Sequence, residues 1–155
     1  MRSYLVAMRR LFAVGGALTI ACGGGHNQLP VPGTMNEAVN QFLDAVQAKD
    51  IPRMGRLWGS ARGPAAQWMS DSILHMRMSV VQRYLEAPGY RIVEGPLAVP
   101  GRNDRRLFQV ELQRPQCARV QPIEIVQTHS GGWLVSDVHL ESASTPGTCQ
   151  PGTRS

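Results

Sequence analysis

The apolar pattern of this chain changes once along its length, and that change limits the fold more than any other feature. Between Thr34 and Glu86 the apolar residues recur every three or four positions, which is typical of amphipathic helices. From Tyr90 to Glu141 they occur in short runs separated by turn residues, which is typical of β-strands. Helices followed by strands predict an α+β domain in which the helices cover one face of an antiparallel sheet.

The first two predicted helices have clear start signals. Thr34 and Glu37 have the spacing of a capping box, in which each side chain bonds a free amide at the helix start. Asp50 is placed to cap a second helix, with Pro52 in its first turn. A glycine-rich break, 59–64, then separates this helix from the third.

The third helix should run from Ser70 or Asp71 to Glu86, and Arg77 is the one cation on its apolar side. Asp71 and His75, one turn apart, lie on the polar side and are interpreted as a solvated pair. The methionines are interpreted as core residues, not as ligands of a soft metal. The apolar side contains Ile73, Leu74, Met76, Met78, Val80, Val81, Tyr84 and Leu85.

Four strands are predicted in the second half, and their short connections make them antiparallel neighbours in a meander. Pro96 and Pro122 predict bulges or sheet edges. A turn centred near Ser130 would pair Gln127 with Gly132. The predicted strands are 90–99, 107–113, 118–127 and 133–141.

The first 22 residues have the organisation of an export signal. Three arginines among the first ten residues precede an uncharged run, 11–21, that is shorter than the ~20 residues that span a bilayer. Residues 1–21 are therefore predicted to be a signal peptide that is removed from the folded protein. The remaining chain is long enough for one domain with its own core.

Residues 18–22, Leu-Thr-Ile-Ala-Cys, resemble the lipobox of bacterial lipoproteins. The resemblance implies cleavage before Cys22, acylation of its sulfur and amine by chains such as palmitate, and anchoring to the cell membrane or outer membrane. The domain would then face the periplasm or the exterior. Glycine and proline make 22–33 a flexible tether, in which the eleven residues after the cysteine span about 17–20 Å, and 142–155 reads as a coil tail.

The charge of the chain gives no reason to expect a nucleic-acid partner. Three of the cations behind the formal net charge of +5 lie in the predicted signal, so the exported chain carries +2. It also has no basic stripe with interleaved aromatic residues, the pattern on which single-stranded nucleic acid stacks.

The cysteines predict a disulfide bond. Lipidation of Cys22 leaves Cys117 and Cys149 as an even pair in an exported protein. The predicted hairpin register sets Cys117 opposite Ser142, within reach of a coil tail that folds back. A zinc site formed with the histidines at 129 and 139 is not expected, because zinc modules contain a closely spaced cysteine pair.

The helical opening, 38–50 followed by Met54 and Leu57-Trp58, and the last strand, 132–140, resemble nuclear-transport-factor-2-like domains. The resemblance covers 34–141. It implies a cone formed by the helices and a curved four-stranded sheet, whose open end holds a small molecule in active members. Because the family includes isomerases, dehydratases, ligand carriers and inactive accessory domains, it predicts fold better than function.

Within such a cone, Arg77, Tyr84 and Trp133 are candidate ligand-binding residues. Arg77 could hold an anionic ligand, pair with Asp137, or extend to water over the rim of the cone. Asp137 and His139 are two positions apart on one predicted strand, so they would share a face with Trp133. A carboxylate and an imidazole on one face could act as an acid/base pair. Alternation alone does not decide whether that face points inward, but the resemblance implies that the face with Trp133 and Val135 does.

These features favour a membrane-tethered, non-enzymatic domain that binds a small apolar or anionic ligand or an envelope protein. One alternative is a cone-pocket isomerase or hydrolyase that uses Asp137 and His139, with Arg77 as anion holder. Another is a structural lipoprotein that forms a homodimer through its sheet. No cofactor motif or metal site is recognisable. An open cone would favour the enzyme, whereas a filled cone would favour the interaction protein.

Overall fold

Three α-helices precede the four long strands in the part of the chain that the structure, a computed structural model, describes: residues 30–115 and 117–142. The predicted α+β class is confirmed. The helices are α1 (Met35–Gln47), α2 (Ile51–Leu57) and α3 (Asp71–Leu85). The strands are β1 (Gly59–Ser60), β2 (Gly63–Pro64), β3 (Gly89–Val99), β4 (Arg102–Arg114), β5 (Cys117–Gln127) and β6 (Trp133–Val138).

The predicted caps of α1 and α2 are confirmed. Thr34 Oγ1 accepts a hydrogen bond from the N–H of Glu37 at 3.2 Å, and Asp50 Oδ1 accepts one from the N–H of Arg53 at 2.9 Å. The capping box differs in one detail, since the Glu37 carboxylate accepts from the N–H of Gly33 rather than from that of Thr34. Each cap satisfies an amide that the helix leaves free.

The large sheet is the predicted antiparallel meander, in the order β3-β4-β5-β6. β4 begins at Arg102, earlier than the predicted residue 107, because Pro100 and Gly101 alone make the turn and Val99 pairs with Arg102. Gly101 has a φ of +73°, a backbone conformation that glycine adopts without strain. β6 ends at Val138, short of the predicted Glu141.

The two prolines lie where the sheet tolerates a missing N–H. Pro96 is in the edge strand β3, beside a register shift, in agreement with the prediction of a bulge or a sheet edge. Pro122 pairs with Gln109 in unbroken register, and its carbonyl accepts from the N–H of His139, just past the end of β6. Because the nitrogen and oxygen of one residue point to the same neighbour, the missing N–H faces the carbonyl of His139, which accepts from Gln121 Nε2 at 2.8 Å instead.

The hairpin between β5 and β6 differs from the prediction. Gln127 pairs with Trp133 rather than with Gly132. Gly131 and Gly132 both have positive φ, 88° and 81°, and these two conformations lengthen the loop by one residue. β6 reaches only as far as Ile123 on β5, so the predicted register of Cys117 opposite Ser142 is wrong.

The predicted break at 59–64 contains a small hairpin formed by β1 and β2, which packs on the ends of β5 and β6. Trp58 bridges to Val135 in parallel, and the N–H of His129 donates to Ala61 O at 2.8 Å. Leu134 is fully buried outside the main core, because this hairpin covers it. The hairpin therefore closes one end of the sheet.

Side chains from both layers form one core. Phe42 of α1, Met54 of α2, Met78 of α3 and Phe108 of β4 have no exposed surface and belong to the same cluster. Burial of a large apolar side chain is worth about 1.5–3 kcal/mol, so this cluster is the main attraction between the helices and the sheet. No helix of the described residues is long and apolar enough to cross a membrane.

Only half of the predicted apolar side of α3 faces this core. Leu74, Met78, Val81 and Leu85 are buried, whereas three other residues of that side, Ile73, Met76 and Val80, are 50%, 63% and 45% exposed. The prediction that all the methionines of α3 are core residues is therefore wrong for Met76. A helix needs an apolar stripe of only about 100° to pack on a core, and the apolar arc of α3 is wider.

Two methionines of α3 give a matched test of this packing. Met78→Ala should lower the free energy of unfolding by about 2–5 kcal/mol, because it leaves a cavity in the core. Met76→Ala, on the exposed side of the same helix, should change it by no more than about 0.5 kcal/mol. Urea denaturation measures both. Equal losses, or a larger loss at Met76, would show that α3 is rotated relative to this description.

Candidate functional site

The space between the helices and the sheet, where a cone pocket would lie, is filled by protein. Phe42, Met54, Met78 and Phe108 are among the large side chains of this space, and none of them has exposed surface. A crevice at the margin of this space, where Tyr90 of β3 lies beside α1, has no room for a water molecule. The buried side chains and the lack of room in this crevice favour a filled cone over an open one.

A β-bulge in β6 decides which side chains face that interior. Ile125 pairs with Val135 and Glu124 pairs with Asp137, so Ser136 is the extra residue. Trp133 and Val135 face the core, as the family resemblance implies, but after the bulge it is Val138 that does so. The expectation that Asp137 shares the face of Trp133 is wrong, and Asp137 is exposed on the opposite side of the sheet.

His139 is engaged with a residue other than Asp137. Its Nδ1 lies 2.9 Å from Glu141 Oε1, and its Nε2 is buried without a hydrogen-bond partner in the described structure. A hydrogen bond from its own backbone amide, and then the bond from His139, lower the pKa of the exposed Glu141 carboxyl. Glu141, and not Asp137, is thus the carboxylate that pairs with the imidazole of His139.

The bulge also supports an ion pair that the sequence pattern did not reveal. Ser136 Oγ donates to the carbonyl of Glu124 at 3.2 Å, and Arg105 forms a salt bridge with the Glu124 carboxylate. Glu124 is only 8% exposed, and a carboxylate taken out of water needs a partner such as this arginine. In the sequence, Glu124 lies between two isoleucines of a predicted strand. This pattern could have indicated a partly buried carboxylate that needs a cation.

The candidate ligand-binding residues lie apart. Arg77 is exposed on α3, and no hydrogen bond or ion pair joins it to Asp137 within the described ranges. Tyr84 is half-buried, and its carbonyl accepts from Arg114 at 2.6 Å. Trp133 is 7% exposed in the core, and its backbone N–H donates to Pro32 O. The structure does not bring these three side chains to one pocket.

An open groove lies between α2 and α3, on the outside of the helical layer. It encloses about 350 Å³, and its walls come mostly from Ile51, Pro52, Leu74 and neighbouring small residues. Arg56, Asp71 and His75 also line it. Asp71 and His75 are exposed, as the solvated-pair interpretation requires, but sequence reasoning missed both the groove and Arg56.

Arg56 gives the groove a cation that forms no ion pair within the described residues, although the Asp71 carboxylate lines the same groove. Its Nε is buried with no partner in the described part of the chain, so only the terminal guanidinium nitrogens face the open volume. A guanidinium stays charged and presents a planar set of donors that suits carboxylate or phosphate oxygens. With apolar walls on either side, the groove can accept a small anion that carries an apolar part.

Neither a metal centre nor a known relative guides the assignment further. Among residues 30–115 and 117–142, no group of three or more His, Cys, Asp or Glu side chains could hold a metal ion. The comparisons with family models, with curated proteins and with solved structures each give no match to the chain.

Tyr90 joins the first helix to the sheet. Its hydroxyl donates to Asp44 Oδ1 at 2.7 Å and lies 3.4 Å from the carbonyl of Asn40. Burial, followed by the hydrogen bond and charge of Asp44, raises the pKa of Tyr90 to about 12 from its ordinary value of 10.0. The folded protein therefore favours the neutral phenol more strongly than the unfolded chain does.

The stability that Tyr90 contributes should depend on pH in a defined window. It is fully present below pH 10 and should be lost as the pH rises through about 12, where the folded-state phenol ionises. Tyr90→Phe should cost about 1 kcal/mol at neutral pH and should remove this alkaline loss. Urea denaturation across the range checks it. An unchanged alkaline profile in the Phe variant would contradict the assignment.

Of the two cysteines in the predicted disulfide, the structure describes Cys117. Cys117, at the start of β5, is disulfide-bonded, whereas Cys149 lies outside the described residues, as do Cys22 and the predicted signal. The Cys117–Cys149 pairing therefore stays a prediction. A bridge closing a loop of about 30 residues should contribute roughly 3–4 kcal/mol.

Peptide mapping without reductant tests this pairing in exported protein. We expect Cys117 and Cys149 in one cross-linked peptide that separates after reduction. Cys149→Ser should release Cys117 as a free thiol or as an intermolecular disulfide. Recovery of both cysteines as separate free-thiol peptides from the wild type would refute the prediction.

Proposed function

We propose that this protein is a membrane-anchored lipoprotein of the cell envelope, whose nuclear-transport-factor-2-like domain binds a partner and does not catalyse a reaction. The observation that carries this proposal is the filled space between the helices and the sheet. Phe42 and Phe108 occupy the region where the enzymes of such a family would hold a substrate. Recognition must then use the outer surface of the domain.

The family assignment is supported by the order and orientation of the elements. Three helices precede a four-stranded antiparallel meander, which is compatible with a cone fold. Trp133 and Val135 face the helices, as the resemblance of the last strand implies. The assignment of the anchor depends on the sequence alone, through the lipobox-like residues 18–22 and the tether that follows them.

The enzymatic alternative receives no support from the geometry. Asp137 is exposed on the far face of the sheet, His139 is bonded to Glu141, and Arg77 lies on the outer side of α3. Chemistry that needs all three on one substrate would require their side chains to converge within hydrogen-bond reach of it.

A homodimer through the sheet is also less favoured. Val93 and Val120 are the large apolar side chains that the described sheet exposes. Stable homodimer interfaces are extensive and mostly apolar, which two isolated valines do not provide. The groove lined by Arg56 is the better binding site, because it combines a volume of about 350 Å³, largely apolar walls and a cation that forms no ion pair in the described chain.

Cys22→Ser tests the lipoprotein assignment. Serine cannot form the thioether, so the variant should lose metabolic labelling by a radioactive fatty acid and should leave the membrane fraction. Each acyl chain contributes about 0.8 kcal/mol per buried methylene, and stable anchoring needs more than one chain. Cys149→Ser, normalised to protein amount, is the matched cysteine control and should keep the label. An unlabelled wild type, or a Cys22→Ser variant that still sediments with membranes, would contradict the proposal.

A further inference from the structure

The outer side of α3 presents an apolar surface that nothing in the described chain covers. Ile73, Met76 and Val80, together with Trp68 just before the helix, form this surface, which we term the α3 stripe. Each of the four side chains is about half exposed or more. Four of the six large apolar side chains exposed in the described ranges therefore lie in this one region.

Two arginines of α3 lie beside the stripe, and its aspartate lies opposite. At 100° per residue, Arg77 and Arg83 flank the centre of the stripe by about 60° on either side, and Asp71 lies on the opposite side of the helix. The guanidinium of Arg62 lies over the ring of Trp68, 5.4 Å from its centroid. The stripe thus has cations at its borders, and the acidic residue of the helix points away from it.

One end of the stripe, at Trp68, lies on the same side of the domain as the start of the described chain. Pro32 O accepts from the N–H of Trp133, beside the 128–132 loop, and His129 of that loop donates to Ala61 in the β1–β2 hairpin. Trp68 Nε1 in turn lies 3.5 Å from Gly63 O of the same hairpin. These contacts put Trp68 and Pro32 at one end of the domain.

The tether restricts how far this end can move from a lipid anchor. Eight peptide units separate Cys22 from Pro30, so they extend no more than about 30 Å. A domain held at this distance meets the bilayer at a high effective concentration. Contacts too weak to recruit a free protein are then sufficient to orient an anchored one.

We propose that the α3 stripe rests on the lipid surface that holds Cys22, with phosphate-bearing headgroups at Arg77 and Arg83. This inference depends on the proposed lipid anchor. Tryptophan prefers the membrane interface, arginine side chains extend to headgroups while their stems stay apolar, and a helix with an apolar face lies in the interface plane. The buried side of α3, which packs into the core, is then directed away from the bilayer.

Intrinsic tryptophan fluorescence provides a direct test, because the chain contains three tryptophans and two of them are buried. Trp58 and Trp133 are each 7% exposed, whereas Trp68 is 46% exposed. Lipidated wild-type protein is reconstituted into phosphatidylcholine and phosphatidylglycerol vesicles with brominated or unbrominated acyl chains. We expect bromine to quench the emission in the wild type, more strongly with phosphatidylglycerol present, and not in Trp68→Phe.

Two exposed substitutions separate docking from anchoring. Met76→Glu should abolish the quenching of Trp68 while the protein still co-sediments with the vesicles. Val120→Glu, at a valine on the sheet that is 50% exposed, should leave the quenching unchanged. Because both side chains are exposed, neither change should affect folding, which circular dichroism can verify.

Three results would overturn the inference. Unquenched Trp68 in co-sedimenting protein would mean that the stripe does not meet lipid while the anchor stands. Cross-linking of Met76→Cys between two chains on vesicles, without quenching, would assign the stripe to a homodimer or another protein. Wild type that does not co-sediment at all would instead refute the lipid anchor itself, and the docking inference with it.

Discussion

The extra residue at Ser136 determines which side chains of β6 face the helices. Without a bulge, the alternation that places Trp133 and Val135 in the core would also place Asp137 there. The Ser136 hydroxyl compensates for the interrupted ladder by donating to the Glu124 carbonyl, and Arg105 neutralises the buried Glu124 carboxylate beside it. Val138 then completes the apolar face of the sheet, so a carboxylate that would need a partner or a ligand stays out of the interior.

The interior can close because Val138, and not Asp137, faces the helices. A core that contains Phe42, Phe108 and Met78 and no ionised group needs neither water nor a ligand to satisfy it. The surface then carries the features that still require an explanation. They are the cation of Arg56 in the groove between α2 and α3 and the apolar stripe on the other side of α3. Since α3 lines both, a ligand in the groove and a lipid surface would contact the same helix.

Sequence patterns predicted the parts of the fold that depend on local interactions. The caps at Thr34 and Asp50, the helix periods and the order of the meander all follow from neighbouring residues. The bulge at Ser136 could not be predicted in this way, because it depends on pairing with β5, and alternation cannot reveal one inserted residue. The exposed half of α3 was missed for a related reason. The apolar arc is wider than the surface available to bury it, and only packing decides which half is covered.

Thiol accessibility at two adjacent positions of β6 tests the closed interior most directly. Asp137→Cys and Val138→Cys would each be treated with a maleimide, and the labelling rate of the folded protein compared with that in denaturant. We expect Asp137→Cys to react at the rate of an exposed thiol and Val138→Cys to react only on unfolding, because Val138 is 4% exposed in the core. Protection at 137 with rapid labelling at 138 would contradict the account, since Asp137 would then face the interior as an active-site carboxylate should.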